Sequence, residues 1–311
     1  MKIYVGVTDY DWYSILKQEN CDEVNFWKPG GKVNFKAINA NDMFLFKLHS
    51  PNNFIVGGGF FVKYFILPTF LVWDAFGIKN GTYNLQQLND RVNKYKKKNN
   101  ISDNSQNIGC IILTEPFFFD EKDWIPVPED WASSIVQGKT YDTGTITGMR
   151  LYQQVNERIQ RQHIYENSNT LIAEPEEYRY GKAQLISPRL GQGAFRVIVT
   201  ETYHRKCSIT GEKTLPVLDA AHIKPFSENG PNISQNGILL RTDIHTLFDK
   251  GYITINEDYH IEVSKRLNED FGNGKMYYAY QGKELFNIPD KKIDLPAKEY
   301  LRWHNENIYL G

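Results

Sequence analysis

The sequence predicts an α+β protein built from two dissimilar domains, on three observations. The first 150 residues are dominated by runs rich in β-branched and aromatic residues, whereas the stretch from about residue 186 alternates short helical and strand patterns. Five of the six tryptophans (Trp12, Trp27, Trp73, Trp124, Trp131) precede residue 132, and four of the seven histidines (His204, His222, His245, His260) fall between 204 and 260. Between these regions ENSNTLIAEPEEYRYGK is polar and weakly periodic, which sets a linker at 166–185, a first domain at 1–165 and a second at 186–311.

In the first domain KIYVGV, DMFLFKLH, FIVGGGFFVKYFIL and IGCIILTE read as strands, separated by the Gly and Pro punctuation of WKPGGK and SPNN. One helix interrupts them, because Leu85, Leu88, Val92 and Tyr95 share a face; its KYKKKNN end places lysines at the negative end of the helix dipole. A second helix is expected over MRLYQQVNERIQRQ, with Leu151, Val155 and Ile159 in line. Trp73, in FLVWDAFG, reads as core, and Trp124 fits core or pocket equally. In the second domain GAFRVIVTETYH reads as a helix, LPVLDAAHIKP and NGILLR as strands, and TDIHTLFDKG as a short helix with Thr242 as N-cap and Gly251 as its stop. YITI and HIEVS form a hairpin through NEDY.

Composition narrows the function. Hydrophobic residues make up 41% and charged residues 23%, and the net charge is −1, so any nucleic-acid surface must be local. Cys21, Cys110 and Cys207 form no CxxC pair, which argues against a disulfide framework and a structural zinc. MKIYVGVTDYDW is no signal peptide, and Phe60 to Trp73 is too interrupted for a membrane span, so a cytoplasmic protein without membrane contact is expected. GGGFF leads into a strand and lacks GKS or GKT, which excludes a P-loop.

A strand, a loop, a second strand and a helix carry His222 in DAAHIKPF, Asn236 in SQNGILLR and His245 in RTDIHTLFDKG. Over about 186–268 this arrangement closely resembles the HNH endonucleases, whose core is a ββα-metal fold. The resemblance implies that His222 is the general base, that His245 holds a single divalent cation, Mg²⁺ or Mn²⁺, and that Asn236 pins the loop. Such chemistry is reasonable for phosphodiester hydrolysis. A near-neutral imidazole deprotonates water, and positive charge offsets the charge that develops on the phosphate. One position departs from the family: Ala221 stands where many members carry a metal ligand before the base. Asp219, two residues back, is the substitute ligand. Asp249, one turn after His245, is a second ligand or else a helix-end Asp tying the FDKG turn.

Seven basic residues between Arg179 and Lys213 face only Glu201 and Glu212. Of these, Arg189, Arg196, Arg205 and Lys206, together with Arg241, are candidates for gripping DNA phosphates. CSITG at Cys207 resembles a zinc knuckle that has lost its second Cys to Thr210, and His204 and His260 read as surface residues.

VGVTDYDW, VNFWKPGG, FLFKLHSPNNFIVGGGFF and DWASSIVQGKTYD give residues 1–145 a looser resemblance to PUA-like modules of the EVE branch. That resemblance implies a small β-barrel with rim helices, reading a 5-modified cytosine flipped out of the duplex. Flipping costs stacking that aromatic side chains restore. The pocket candidates are Asp9, Tyr10, Trp12, Trp27, Trp131 and Tyr141, with Trp27 preferred as the stacker because it sits beside Pro29 and two glycines in a turn. Together the two resemblances imply a modification-dependent restriction endonuclease. It would act on double-stranded DNA carrying 5-hydroxymethylcytosine or 5-methylcytosine, as a homodimer, since one centre cuts one strand. The alternatives are an HNH nuclease of nicking or mobile-element type that ignores base modification, and a non-catalytic nucleic-acid-binding protein, for which Ala221 speaks.

Overall fold

The computed structural model describes residues 1–30, 34–101, 105–169 and 190–311, and the chain divides into two units, Met1–Arg189 and Leu190–Gly311. The first unit is organised by β1 (Lys2–Thr8), β2 (Glu23–Lys28), β3 (Met43–Leu48), β4 (Phe54–Pro68), β5 (Asn107–Phe118), β6 (Ile125–Pro126) and β7 (Gly138–Asp142). They pair in the order β2-β5-β4-β3-β1-β7, with β6 also on β4; β1 runs parallel to β3 and every other pairing is antiparallel. No ladder joins the edge strands β2 and β7 among the described residues, so the barrel has an open seam.

Successive strand residues point to opposite faces, and both faces of this sheet are apolar. Tyr4, Phe44, Phe46 and Val56 face one way and pack with Trp12, Tyr13 and Leu16 of helix α1 (Tyr10–Glu19). Ile3, Val5, Met43, Leu45 and Ile55 face the other way and pack with Leu151, Val155 and Ile159 of helix α4 (Ile146–Asn169). Helices α2 (Thr69–Phe76) and α3 (Leu85–Lys98) lie in the long connection from β4 to β5. The glycine run of β4 serves close approach: a Cβ on Gly58 would sit 2.7 Å from the Phe44 carbonyl oxygen.

The four sequence-predicted strands and the helix at α3 are all present, but α1 and α2 add two helices to the one that was expected to interrupt the strands. α1 is capped by Asp9, whose carboxylate accepts from the Trp12 amide at 2.8 Å. Trp73 on α2 is only partly buried, because the helix lies at the surface and keeps Leu71, Val72 and Phe76 inside. α4 continues to Asn169, so the first residues of the expected linker are helical, and 170–185 lie outside the described residues.

The second unit begins with α5 (Gln192–Thr202), followed by the hairpin of β8 (Leu218–His222) and β9 (Gly237–Arg241) and by α6 (Thr242–Asp249). β10 (Ile253–Ile255) and β11 (Ile261–Val263) form the second hairpin, and α7 (Arg266–Phe271), α8 (Lys275–Tyr278) and α9 (Lys298–Asn307) complete the unit. One core joins Phe195, Val199 and Tyr203 of α5 to Leu218, Ala221 and Ile238–Leu240 of the hairpin and to Ile244 and Phe248 of α6. Thr242 is the first residue inside α6 rather than its cap, and its hydroxyl donates to the Val217 carbonyl. Gly251 follows the helix with φ of +75°, the left-handed conformation a helix stop requires. No helix among the described residues is long and apolar enough to cross a membrane.

Candidate active site

The β8–β9 ladder pairs His222 with Gly237 and Ala221 with Ile238, and α6 packs against both strands. Ala221 is fully buried in the core, so this position before His222 offers no room for a ligand side chain reaching solvent. Asp219, two residues back on the same strand face, reaches the edge of that core: its Oδ2 lies 3.5 Å from His245 Nδ1. On the other side of the ring, His245 Nε2 lies 3.3 Å from Oδ2 of Asp249, one helical turn on. The backbone closes the turn after α6 through bonds from the Lys250 and Gly251 amides to the Phe248 carbonyl, while the Asp249 carboxylate lies against His245.

His222 is partly buried, with its ring stacked on Phe195 at a centroid distance of 3.9 Å and an interplanar angle of 9°. Its Nε2 lies 2.8 Å from Asn232 Oδ1. Burial pushes the imidazole below its ordinary value, the nearby His245 acts in the same direction, and the Asn232 contact and the Asp249 charge oppose them. His222 is therefore neutral at neutral pH. Burial also raises the Asp249 carboxyl, with Asp219 adding to the rise and the two histidines opposing it. His222, His245, Asp219 and Asp249 thus feel one another's charge.

Asn236 is fully buried and works entirely on the backbone. Its Oδ1 accepts from the Lys224 amide at 2.8 Å, and its Nδ2 donates to the carbonyls of Lys224 (2.9 Å) and Pro231 (3.0 Å). These bonds close the loop from His222 to Asn236. Gly230 allows the closure, since a Cβ there would sit 1.9 Å from the Lys224 carbonyl oxygen.

Among the described residues no group of three or more His, Cys, Asp or Glu is ready-assembled to hold a metal ion. The donor set nevertheless suits a hard divalent cation: two carboxylates and an imidazole are the oxygen and nitrogen donors such ions take. A cation held by these side chains would offset the rise that Asp219 adds at the Asp249 carboxyl.

The sequence-predicted phosphate grip is only partly present. Arg241 is held by Asp243 through two bonds of 2.6 and 2.8 Å, which also raise its pKa, so its guanidinium faces a carboxylate rather than open solvent. Arg205 is paired with Glu201 at 2.6 Å one turn earlier in the chain, and Arg196 also has a partner. Lys206 is partly exposed, and Arg189, Arg179 and Lys182 lie outside the described residues. His204 and His260 are surface residues, facing Asp290 and Glu284. The Cys207 sulfur is buried and accepts from the amides of Thr210 and Arg241, so the knuckle-like turn is tied by hydrogen bonds. Sequence reasoning missed Asn232 and Phe195 around His222. It also missed Lys224, whose ammonium lies 5.5 Å from the Trp303 ring centroid, two residues beyond His222.

The six pocket candidates of the first unit do not form one group, since Trp131 and Tyr141 belong to a different core cluster from Trp12. Trp12 is 2% exposed and packs edge-on against Phe26 and Phe46, which makes it a core residue. Tyr141 is 4% exposed, donates to Asp130, and belongs with Trp131 to the opposite face of the sheet. Trp131 lies beneath the Lys47 ammonium, 5.2 Å from its ring centroid. Trp27 is in β2 opposite Cys110, not in a turn, and its indole donates to the Asn80 carbonyl at 3.0 Å. Tyr95 connects Trp27 to Asp9: its ring lies 5.9 Å from the indole and its hydroxyl donates to Asp9 at 3.2 Å. Tyr10 is exposed. A cleft of about 740 Å³ in this unit is lined instead by polar residues of α3 and the segment before β5, among them Asn89, Asn93, Lys96 and Gln106.

Residues 207–256, which contain all five residues of the histidine site, match the HNH endonuclease family. This part of the chain is an HNH endonuclease domain, and the chain is an endonuclease; enzymes of this family generally use a divalent metal ion. Among solved structures it is similar to a modification-dependent TagI restriction endonuclease at 12% identity, over 92% of this chain and 75% of that one, with a TM-score of 0.26. Mutant forms of the ZmASCH protein of Zymomonas mobilis are similar at 6% identity over 49% of this chain and 94% of that one (TM-score 0.33), and at 7% over 38% and 76% (0.27). No curated protein matches the chain.

Proposed function

We propose that the chain is a modification-dependent DNA endonuclease whose second unit hydrolyses a phosphodiester bond at the β8–β9–α6 site. The observation that carries the nuclease part of this reading is the placement of the partly buried His222, whose charged form burial disfavours, near the carboxylate–imidazole–carboxylate set of Asp219, His245 and Asp249. His222 takes the proton from a water molecule as its oxygen bonds to phosphorus; the bond to the 3′ oxygen breaks and that oxygen leaves with the electron pair. Asp219, His245 and Asp249 would hold a divalent cation, magnesium or manganese, which when bound supplies positive charge against the phosphate and the leaving oxygen. Asn236 keeps the loop that follows His222 in one conformation, so the base does not have to be ordered during the reaction. Lys206 and Lys224, both partly exposed, would meet the DNA backbone.

The first unit reads a 5-modified cytosine, 5-hydroxymethylcytosine or 5-methylcytosine, in a flipped-out state. Trp27, with Asp9 beside it through Tyr95, supports this role better than the buried Trp12. Two protomers acting together would give a double-strand break. A second reading keeps the nuclease and drops the modified base, and the placement of Trp12 in one core cluster and of Tyr141 and Trp131 in the other favours it. Digestion of matched duplexes with and without 5-hydroxymethylcytosine, in Mg²⁺ or Mn²⁺, separates the two. Preferential cutting of the modified duplex supports the first, and equal cutting leaves only the second.

A further inference from the structure

We infer that Asn232 is a positioning residue for His222, fixing its imidazole in the tautomer that carries hydrogen on Nε2 and leaves the lone pair on Nδ1. The inference deepens the reading of His222 as the base and rests on it. It follows from what each partner can accept or donate. The Leu190 carbonyl can only accept, and Asn232 Nδ2 lies 2.7 Å from it, so the amide turns its NH₂ end toward Leu190. The other end, Oδ1, therefore faces His222 Nε2 at 2.8 Å. An amide oxygen can only accept, so Nε2 is the protonated nitrogen. In the other tautomer two lone pairs would face each other at that distance.

Two further contacts hold the arrangement. Stacking on Phe195, itself 2% exposed, fixes the plane of the ring, and the Asn232 amide decides which edge points which way. Asn236 donates to the carbonyl of Pro231, the residue before Asn232, so the loop lock extends to this side chain. Neutral imidazole has one N–H and one lone pair. With Nε2 occupied, the proton of the attacking water goes to Nδ1, which has no hydrogen-bond partner among the described residues. Asn232 touches neither water nor phosphate in this scheme; it acts through His222.

The test is the ¹⁵N spectrum of the full chain labelled at histidine, at a pH where His222 is neutral, with His222→Gln identifying its resonances. The wild type is expected to show a protonated Nε2 and a bare Nδ1. Asn232→Ala is expected to mix the tautomers and lower kcat roughly ten- to hundredfold, the usual cost of losing a group that orients a working histidine, with KM for duplex DNA unchanged. Asn232→Asp keeps an acceptor toward Nε2 and is expected to restore both the spectrum and most of kcat. A wild-type proton on Nδ1 overturns the inference, as does an Asn232→Ala enzyme whose spectrum is unchanged. Should Asn232→Ala fail to fold, the wild-type and Asn232→Asp spectra decide alone. The tautomer is read without any cleavage, so a failure of the base assignment shows separately, as cutting by His222→Gln.

Discussion

His245 and Asp249 face each other across 3.3 Å on one side of α6, while Asp219 meets the other nitrogen of the same ring at 3.5 Å from the neighbouring strand. The imidazole thus stands between two carboxylates supplied by different elements, and only the folded hairpin-plus-helix brings all three together. Neutralising either carboxylate removes one donor without changing side-chain size. Asp219→Asn and Asp249→Asn should each weaken Mn²⁺ binding at least tenfold by calorimetry, a loss of the order seen when even indirect partners of a metal site are removed. Affinity unchanged in both would remove them from the metal site.

The pH dependence of cleavage carries a definite sign. The working form of His222 is neutral, and burial holds its pKa below the ordinary imidazole value of about 6.5. Activity should therefore be level at neutral pH and fall only on the acid side of that value. Phe195→Ala opens the ring to water and should move that fall to higher pH, as read from kcat/KM profiles.

The loop lock should be visible in stability. Removing the Asn236 side chain strands the part-buried amide and carbonyl of Lys224 and frees the Pro231 carbonyl. Unsatisfied groups of this kind cost about 1–3 kcal/mol each when water cannot reach them. Asn236→Ala should lower the unfolding free energy by about 2–4 kcal/mol in denaturant titration, and lower kcat with it.

A further histidine, outside the site, contributes to the acid sensitivity of this unit. His304 is buried between Thr254 and the Phe248 carbonyl, and burial lowers its pKa to about 4. Unfolded, it would take a proton near pH 6.5. Because its folded pKa is the lower one, its contribution is complete above pH 6.5 and is lost as pH falls toward 4, to a total of about 3 kcal/mol. Urea midpoints of the wild type and of His304→Gln, compared between pH 7 and pH 4.5, should show the larger drop in the wild type.

In the first unit the aromatic candidates separate by what their loss does. Trp12→Ala should cost about 3–5 kcal/mol, as for other large buried side chains. Trp27→Ala should leave the fold nearly intact and reduce the preference for modified over unmodified duplex, measured by binding of each. The reverse pattern would remove Trp27 from the reader site.

Much of the nuclease core could be read from the sequence because its signal is local. His222, Asn236 and His245 lie within one strand–loop–strand–helix run, and their residue types are chemically uncommon in combination. Asn232 carries no such signal: it is one polar residue in a loop, and its role depends on the Leu190 carbonyl 42 positions away. Phe195 looks like any apolar residue of an amphipathic helix until its ring is found on His222. The Arg241–Asp243 pairing could not be foreseen, because the fork depends on the bend into α6. Trp27 looked like a turn residue because Pro29 and two glycines follow it, while its ladder to β5 comes from a strand more than eighty residues later. Asp9 was singled out for a pocket although it caps α1, a helix that went unrecognised.

The most direct measurement is the single-turnover rate of duplex cleavage by His222→Ala beside the wild type, at saturating Mg²⁺ or Mn²⁺. Loss of a general base should lower that rate by about 10²–10⁴-fold while the folded state persists. Cleavage by His222→Ala at the wild-type rate would show that this imidazole is not the group that activates water, and the account of the site would fail with it.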